Sequence, residues 1–135
     1  MSSRAYAYLG LSGDFAPAEI SPLISLEPSK SIAKHAKDPE RGIPKTALLR
    51  YAQSHSEDQV PDVIALADEV VSALEPHTAV LREIVKDHKI QARLEVVLVV
   101  DKKADLSTPA IGFSSRAVAF LAEIQAFIDV DTYFE

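Results

Sequence analysis

The chain has 135 residues, 47% of them hydrophobic and 25% charged, and it carries a formal net charge of −6. These values predict one globular domain spanning residues 1–135 and argue against a general nucleic-acid binder, which needs a basic surface. The chain has no cysteine, which excludes disulfides, thiolate catalysis and cysteine-ligated zinc.

The N-terminal segment has no apolar stretch of signal-peptide length, and the longest apolar run, Val96 to Val100, is too short to cross a bilayer. We therefore expect a cytoplasmic protein without membrane contact. The charge is unevenly placed, because Pro28 to Lys45 has a net charge of +3. This basic stretch is either a solvated loop or a site for an anion or an acidic partner.

Four segments of period two predict the strands of one sheet. They cover Arg4–Leu11, Thr46–Gln53, Ile90–Val100 and the last residues from Phe127. The third has apolar residues on both faces from Val96 on, which is typical of a central strand.

Segments with helical periodicity lie between these strands. A short, irregular helix is expected after Pro17, and an apolar stripe predicts a longer helix over Pro61–Leu74. Pro76 can open a further helix, and Ser114 is a suitable N-cap for a closing helix that leads into the final strand. A polar loop is expected over Asp101–Pro109. We read Leu26–Pro44 as a long irregular connection and the least ordered part of the chain.

This order predicts an α+β sandwich of the ferredoxin-like kind, with two β-α-β halves and two extra helices inserted between strands two and three. Helices would cover one face of the sheet and leave the other face open. In that arrangement the final and third strands both flank the first strand.

Several stretches of the chain resemble a family of small bacterial proteins known as domain of unknown function 4279. The resemblance runs from about Tyr6 to Tyr133 and is carried by the segments SGDFAPAEISPLISLEPSKS, RGIPKTALLR, LEPHTAVLREI and FLAEIQAFIDVDTY. The family has no established activity to transfer. Some members look like the products of genes that lie next to toxin genes, so the resemblance implies an immunity role.

We identify no catalytic residues and expect neither a metal site nor a cofactor. The four histidines lie in separate segments, there is no G-x-S-x-G motif, and the four glycines are not grouped into a phosphate loop. Asp129 and Asp131 share one face of a strand and could bind a cation or act as an acid–base pair, but the sequence places no third ligand beside them. Solvated acids on an open face are the alternative.

The open face is the best candidate for a binding surface. Ferredoxin-like order would place Tyr6 and Tyr8 beside Asp129, Asp131 and Tyr133 on one side, and beside Arg93, Glu95, Val97 and Val99 on the other. Tyrosines among acids suit protein recognition. Alternatively, this face is covered by a second copy of the chain or by the inserted helices.

The sequence is therefore compatible with two functions. The first is a non-enzymatic protein-binding module, most concretely an immunity-type protein that neutralises a basic toxin domain, with Tyr6, Tyr8, Asp129, Asp131 and Tyr133 as its partner-binding residues. The alternative is a small-molecule-binding or hydrolytic enzyme of unknown substrate that uses Asp129, Asp131 and basic residues of the loop.

Overall fold

The structure, a computed structural model, describes residues 4–58, 60–102 and 109–135. Its strands are β1 (Arg4–Gly13), β2 (Lys30–Ile32), β3 (Ala47–Ser56), β4 (Gln91–Val100) and β5 (Phe127–Phe134). Its helices are α1 (Pro17–Ile20), α2 (Val63–Leu74), α3 (Thr78–Asp87) and α4 (Ser115–Glu123), and single 3₁₀ turns follow α1 and α2. The fold is α+β. Most of the expected polar loop over Asp101–Pro109 lies outside the described residues.

The predicted helix and strand types are confirmed, with small shifts at their ends. The long irregular connection contains only the three-residue strand β2, and the first helix has four residues before it tightens into a 3₁₀ turn. Two side chains start helices as caps: Asp62 accepts from Ala65 N for α2, and Ser114 accepts from Ala117 N for α4. Two helices do lie between β3 and β4, as the sequence predicts.

The five strands form one mixed sheet in the order β2-β3-β1-β4-β5. β1 pairs antiparallel with both β3 and β4, while β4 and β5 run parallel. The chain between β4 and β5 contains α4, which gives the β-α-β unit that parallel neighbours require.

The expected ferredoxin-like sheet order is therefore not found. β1 lies between β3 and β4, and β5 pairs with β4 instead of β1. The reason is that period-two alternation determines which residues share a face, whereas the choice of neighbouring strand depends on contacts between distant segments. Tyr6 and Tyr8 are consequently separated from Asp129 and Asp131 by the whole of β4.

One face of the sheet and all four described helices form the hydrophobic core. The central strands contribute Leu9 from β1, Tyr51 from β3 and Leu94 from β4, all with 0% exposure. The helices contribute apolar residues that recur every three or four positions, including Leu74 of α2 and Phe120 of α4. Since these helices all pack on the same side, the opposite face of the sheet carries no helix among the described residues. No described helix has the length and apolar character needed to span a membrane.

Candidate functional site

The face of the sheet away from the helices, here called the open face, is the candidate site. Alternation along the strands, combined with their register, determines which side chains it presents. From β1 to β5 its central residues are Tyr6, Tyr8, Arg50, Arg93, Glu95, Val97, Val99, Phe127, Asp129, Asp131 and Tyr133.

Three carboxylates converge on the open face where β4 meets β5. The parallel register pairs Glu95 with Asp129 and Val97 with Asp131, so both aspartates border the Glu95 side chain. One carboxylate oxygen from each of the three acids lies within 4.8 Å of the other two. We call these three residues the carboxylate cluster.

Glu95 differs from its two neighbours because it is buried, with only 5% of its surface exposed. Burial, followed by the adjacent carboxylates of Asp131 and Asp129, raises the pKa of Glu95 from an ordinary 4.5 to about 8. Near neutral pH the Glu95 carboxyl is therefore mainly protonated in the absence of a bound cation. A cation brought to the cluster would favour its ionised form.

Arg93 approaches the cluster from β4, the strand that carries Glu95. Its Nε atom lies 3.8 Å from Glu95 Oε2, which is beyond hydrogen-bond distance. Both of these atoms are buried, and neither finds a hydrogen-bond partner within the described chain. The Glu95 carboxyl nevertheless forms side-chain hydrogen bonds with Asp131 and Asp129, which contribute to its raised pKa, so only Oε2 lacks a partner within the described chain.

An aromatic group lies beside the cluster on β1 and β3. The Tyr6 and Tyr8 rings stack with centroids 6.3 Å apart, and Tyr6 also lies 5.8 Å from the His55 ring. The guanidinium of Arg50 sits 4.2 Å above the Tyr8 ring centroid, a cation–π contact. Tyr8 is only 3% exposed as a result, so Tyr6 is the more accessible of the two tyrosines.

Comparison with protein families assigns the chain over almost its whole length. The sequence model of the family described as Domain of unknown function (DUF4279) matches residues 3–135. The chain belongs to the DUF4279 family. No curated protein and no solved structure matches it in the corresponding comparisons.

Within this DUF4279 fold, the five residues predicted for partner binding lie on the same face but in two groups. Tyr6 and Tyr8 lie on β1, whereas Asp129, Asp131 and Tyr133 follow one another along β5. Tyr133 is 56% exposed and pairs in register with Val99, beyond the carboxylate cluster. The pairing of β5 with β4 keeps the two groups on opposite sides of the β4 side chains.

Sequence patterns alone placed Glu95 on the open face but did not identify it as a central residue of the site. Its signal is a single carboxylate within LEVVLVV, the most apolar stretch of the chain. A charged residue in a central strand is rarely buried without a role. The position of Arg50 above Tyr8 has no comparable signal, because a cation–π contact between two strands depends on their register.

The carboxylate cluster could hold a hard divalent cation. Such ions prefer carboxylate oxygens, and the structure supplies in Glu95 the third ligand that the sequence did not place. A positively charged side chain of another protein would satisfy the same oxygens. The expectation that the protein has no metal site stays a prediction.

Proposed function

We propose that this protein is a non-enzymatic binding module whose open face receives a basic segment of another protein. The most concrete form of this function is neutralisation of a basic toxin domain. The observation that carries the proposal is the convergence of Glu95, Asp129 and Asp131 on a sheet face that no described helix covers.

Electrostatics support a cationic occupant. The protein has a net charge of −6, and the cluster concentrates carboxylates at a site where a buried oxygen lacks a hydrogen bond. A lysine or arginine from the partner would contact the partly exposed carboxylates of Asp129 and Asp131 and favour ionisation of Glu95. Binding would then release a proton from Glu95 at neutral pH.

β5, the strand that carries Asp129 and Asp131, also offers the apolar part of the surface. β5 is an edge strand that pairs only with β4 among the described strands, so its outer backbone groups are open to another chain. Phe127 and Tyr133, which this strand presents on the open face, are 43% and 56% exposed. Aromatic side chains beside charges are typical of residues that anchor a protein interface.

The proposal is tested first by reading the adjacent gene, and a toxin-like C-terminal domain encoded there would serve as the partner in binding experiments. Association and dissociation rates would be measured at low and moderate salt for the unaltered protein and for the double substitution Asp129→Asn with Asp131→Asn. We expect association to slow by about tenfold at low salt and to depend less on salt, because the carboxylates steer the encounter. Asp58→Asn with Asp87→Asn, two exposed positions outside the open face, removes the same charge and serves as the control.

Aromatic anchoring is tested through dissociation. Tyr133→Ala and Tyr8→Ala should each speed dissociation, by an amount equivalent to about 1–4 kcal/mol for an anchoring residue. Because Tyr8 is buried beneath Arg50, its variant also needs a thermal unfolding curve to separate lost binding from lost stability. Tyr133 is exposed and gives the cleaner comparison.

Three results would contradict the proposal. One is the absence of any complex with the adjacent gene product, and another is a complex whose rates are unchanged in the aspartate and tyrosine variants. The third is a homodimer, detected by light scattering, that is lost in the same variants. That result would show that a second copy of the chain covers the open face.

A further inference from the structure

A cavity of about 560 Å³ opens on the same side of the sheet as the open face, at the end where β4 begins. β1, β2, β3 and β4 all contribute to its walls. Among the residues that the structure describes, twelve line it and none of these is acidic. Five of the twelve are cationic: Lys30, Lys37, Arg50, Lys89 and Arg93. We call this feature the basic cavity.

The two arginines of the basic cavity have unused hydrogen-bonding capacity. Nε of Arg50 and Nε of Arg93 are both buried and lack a hydrogen-bond partner within the described residues. Each guanidinium is positioned by a neighbour, Arg50 by the ring of Tyr8 and Arg93 by its 3.8 Å approach to Glu95. Buried polar groups without partners are rare in folded proteins.

Among the acids near these cations, Glu95 approaches Arg93, with Oε2 3.8 Å from Nε, and two others pair elsewhere. Asp14 pairs with Lys34 at 3.1 Å, and Asp38 pairs with Arg41 at 3.6 Å, so both carboxylates are engaged with cations outside the cavity lining. Gathering five like charges in one concavity is unfavourable in the absence of a counterion. A bound anion would relieve that repulsion.

We propose that the basic cavity binds a small molecule carrying two or more clustered negative charges, as phosphate or carboxylate groups, through Arg50 and Arg93. The planar guanidinium group presents paired donors that match the oxygens of both groups. A volume of about 560 Å³ is that of a small-molecule site, and the neighbouring carboxylate cluster would repel the extended backbone of a nucleic acid. Arg50 and Arg93 belong to the open face but are not used in the protein-binding proposal, and this site does not depend on that proposal.

Pyrophosphate and citrate are the two probes, titrated separately in low-salt buffer without phosphate and followed by calorimetry and thermal unfolding. We expect at least one of them to bind and to raise the unfolding temperature, whereas sodium chloride of equal ionic strength does neither. Preference for pyrophosphate would assign a phosphorylated ligand, and preference for citrate would assign a polycarboxylate.

Two substitutions inside the cavity identify the site. Arg50→Gln and Arg93→Gln should each weaken binding by at least about tenfold, because each removes a charge-assisted contact. Arg82→Gln is the matched control, since Arg82 is 54% exposed and pairs with Glu123 on the helical side of the molecule. Lys37→Gln, at an exposed position, should weaken binding by about threefold without affecting folding and covers the case in which an arginine variant does not fold.

Failure of both probes to bind at millimolar concentration would overturn the proposal. An equal loss of affinity in Arg82→Gln and Arg93→Gln would also overturn it, because the loss would then come from the change in net charge and not from a contact in the cavity. The double aspartate variant of the carboxylate cluster should bind the anion at least as tightly as the unaltered protein, because it removes negative charge near Arg93, so this result and that of the protein-binding experiment can fail independently.

Discussion

Glu95 makes the stability of this protein depend on pH, and Glu95→Gln tests that dependence. The carboxyl is buried, and it faces Asp129, Asp131, Arg93 and the β1 residue Tyr8, with which it pairs in register. Because its pKa rises from 4.5 to about 8 on folding, the native protein holds the proton more tightly than the unfolded chain does. The contribution of Glu95 to the free energy of unfolding is therefore fully present below about pH 4.5. It declines as the pH rises and is lost once the pH passes about 8.

The size of the decline follows from the pKa. At about 1.36 kcal/mol per pH unit, the difference between 4.5 and about 8 corresponds to roughly 5 kcal/mol of unfolding free energy. Asp129 and Asp131 are partly exposed and can turn toward solvent when Glu95 ionises. Their movement reduces the expected loss to about 2–5 kcal/mol. Glutamine has the shape of the protonated carboxyl and cannot ionise, so the variant should lack this decline.

Urea unfolding followed by circular dichroism would be measured from pH 4.5 to pH 9 for both proteins. We expect them to agree within about 1 kcal/mol at the acidic end, and the variant to be more stable by about 2–5 kcal/mol above pH 8. The difference between the two curves removes the contributions of the four histidines, which both proteins share. Glu83→Gln, at an exposed position on α3, is the control for loss of one carboxylate. Parallel curves for the unaltered protein and Glu95→Gln would refute the reasoning.

Three further predictions concern the fold. Ser114→Ala should cost about 1–2 kcal/mol of stability in urea unfolding, because Ser114 caps α4 and also donates to Asp68 at 2.6 Å. Leu94→Ala should cost about 2–5 kcal/mol in the same measurement, since this side chain is fully enclosed at the centre of the core. Amide hydrogen exchange should be faster in Leu26–Pro44 than in the central strand β4, because that segment contributes few residues to the core.

Two exposed positions on α4 give the controls for these substitutions. Ser115→Ala removes a hydroxyl beside the cap, and Val118→Ala shortens a side chain that is 51% exposed. Each should change stability by less than about 0.5 kcal/mol. Costs for Ser114→Ala and Leu94→Ala no larger than those of their controls would contradict the assigned roles. Equal protection in Leu26–Pro44 and β4 would contradict the third prediction.

Local patterns in the sequence determined the elements of this fold and the faces of its strands. The period-two alternation of β1 and β5 assigns Tyr6, Asp129 and Asp131 to one face without any knowledge of the neighbours, because successive side chains in a strand point to opposite sides. Ser114 marks the start of α4 for an equally local reason, since its hydroxyl accepts from a backbone N–H three residues later. The family resemblance was also contained in the sequence, and the match to DUF4279 confirms it.

Tertiary structure alone decided which strands are neighbours, and with them the composition of both sites. The pairing of β5 with β4 brings Asp129 and Asp131 to Glu95, which changes an ordinary strand residue into a buried carboxyl with a raised pKa. Similarly, Lys30 and Arg93 are far apart in sequence but line the same cavity. Burial, electrostatic interaction and cavity shape all depend on residues that are distant along the chain. A local periodicity in the sequence therefore cannot predict them.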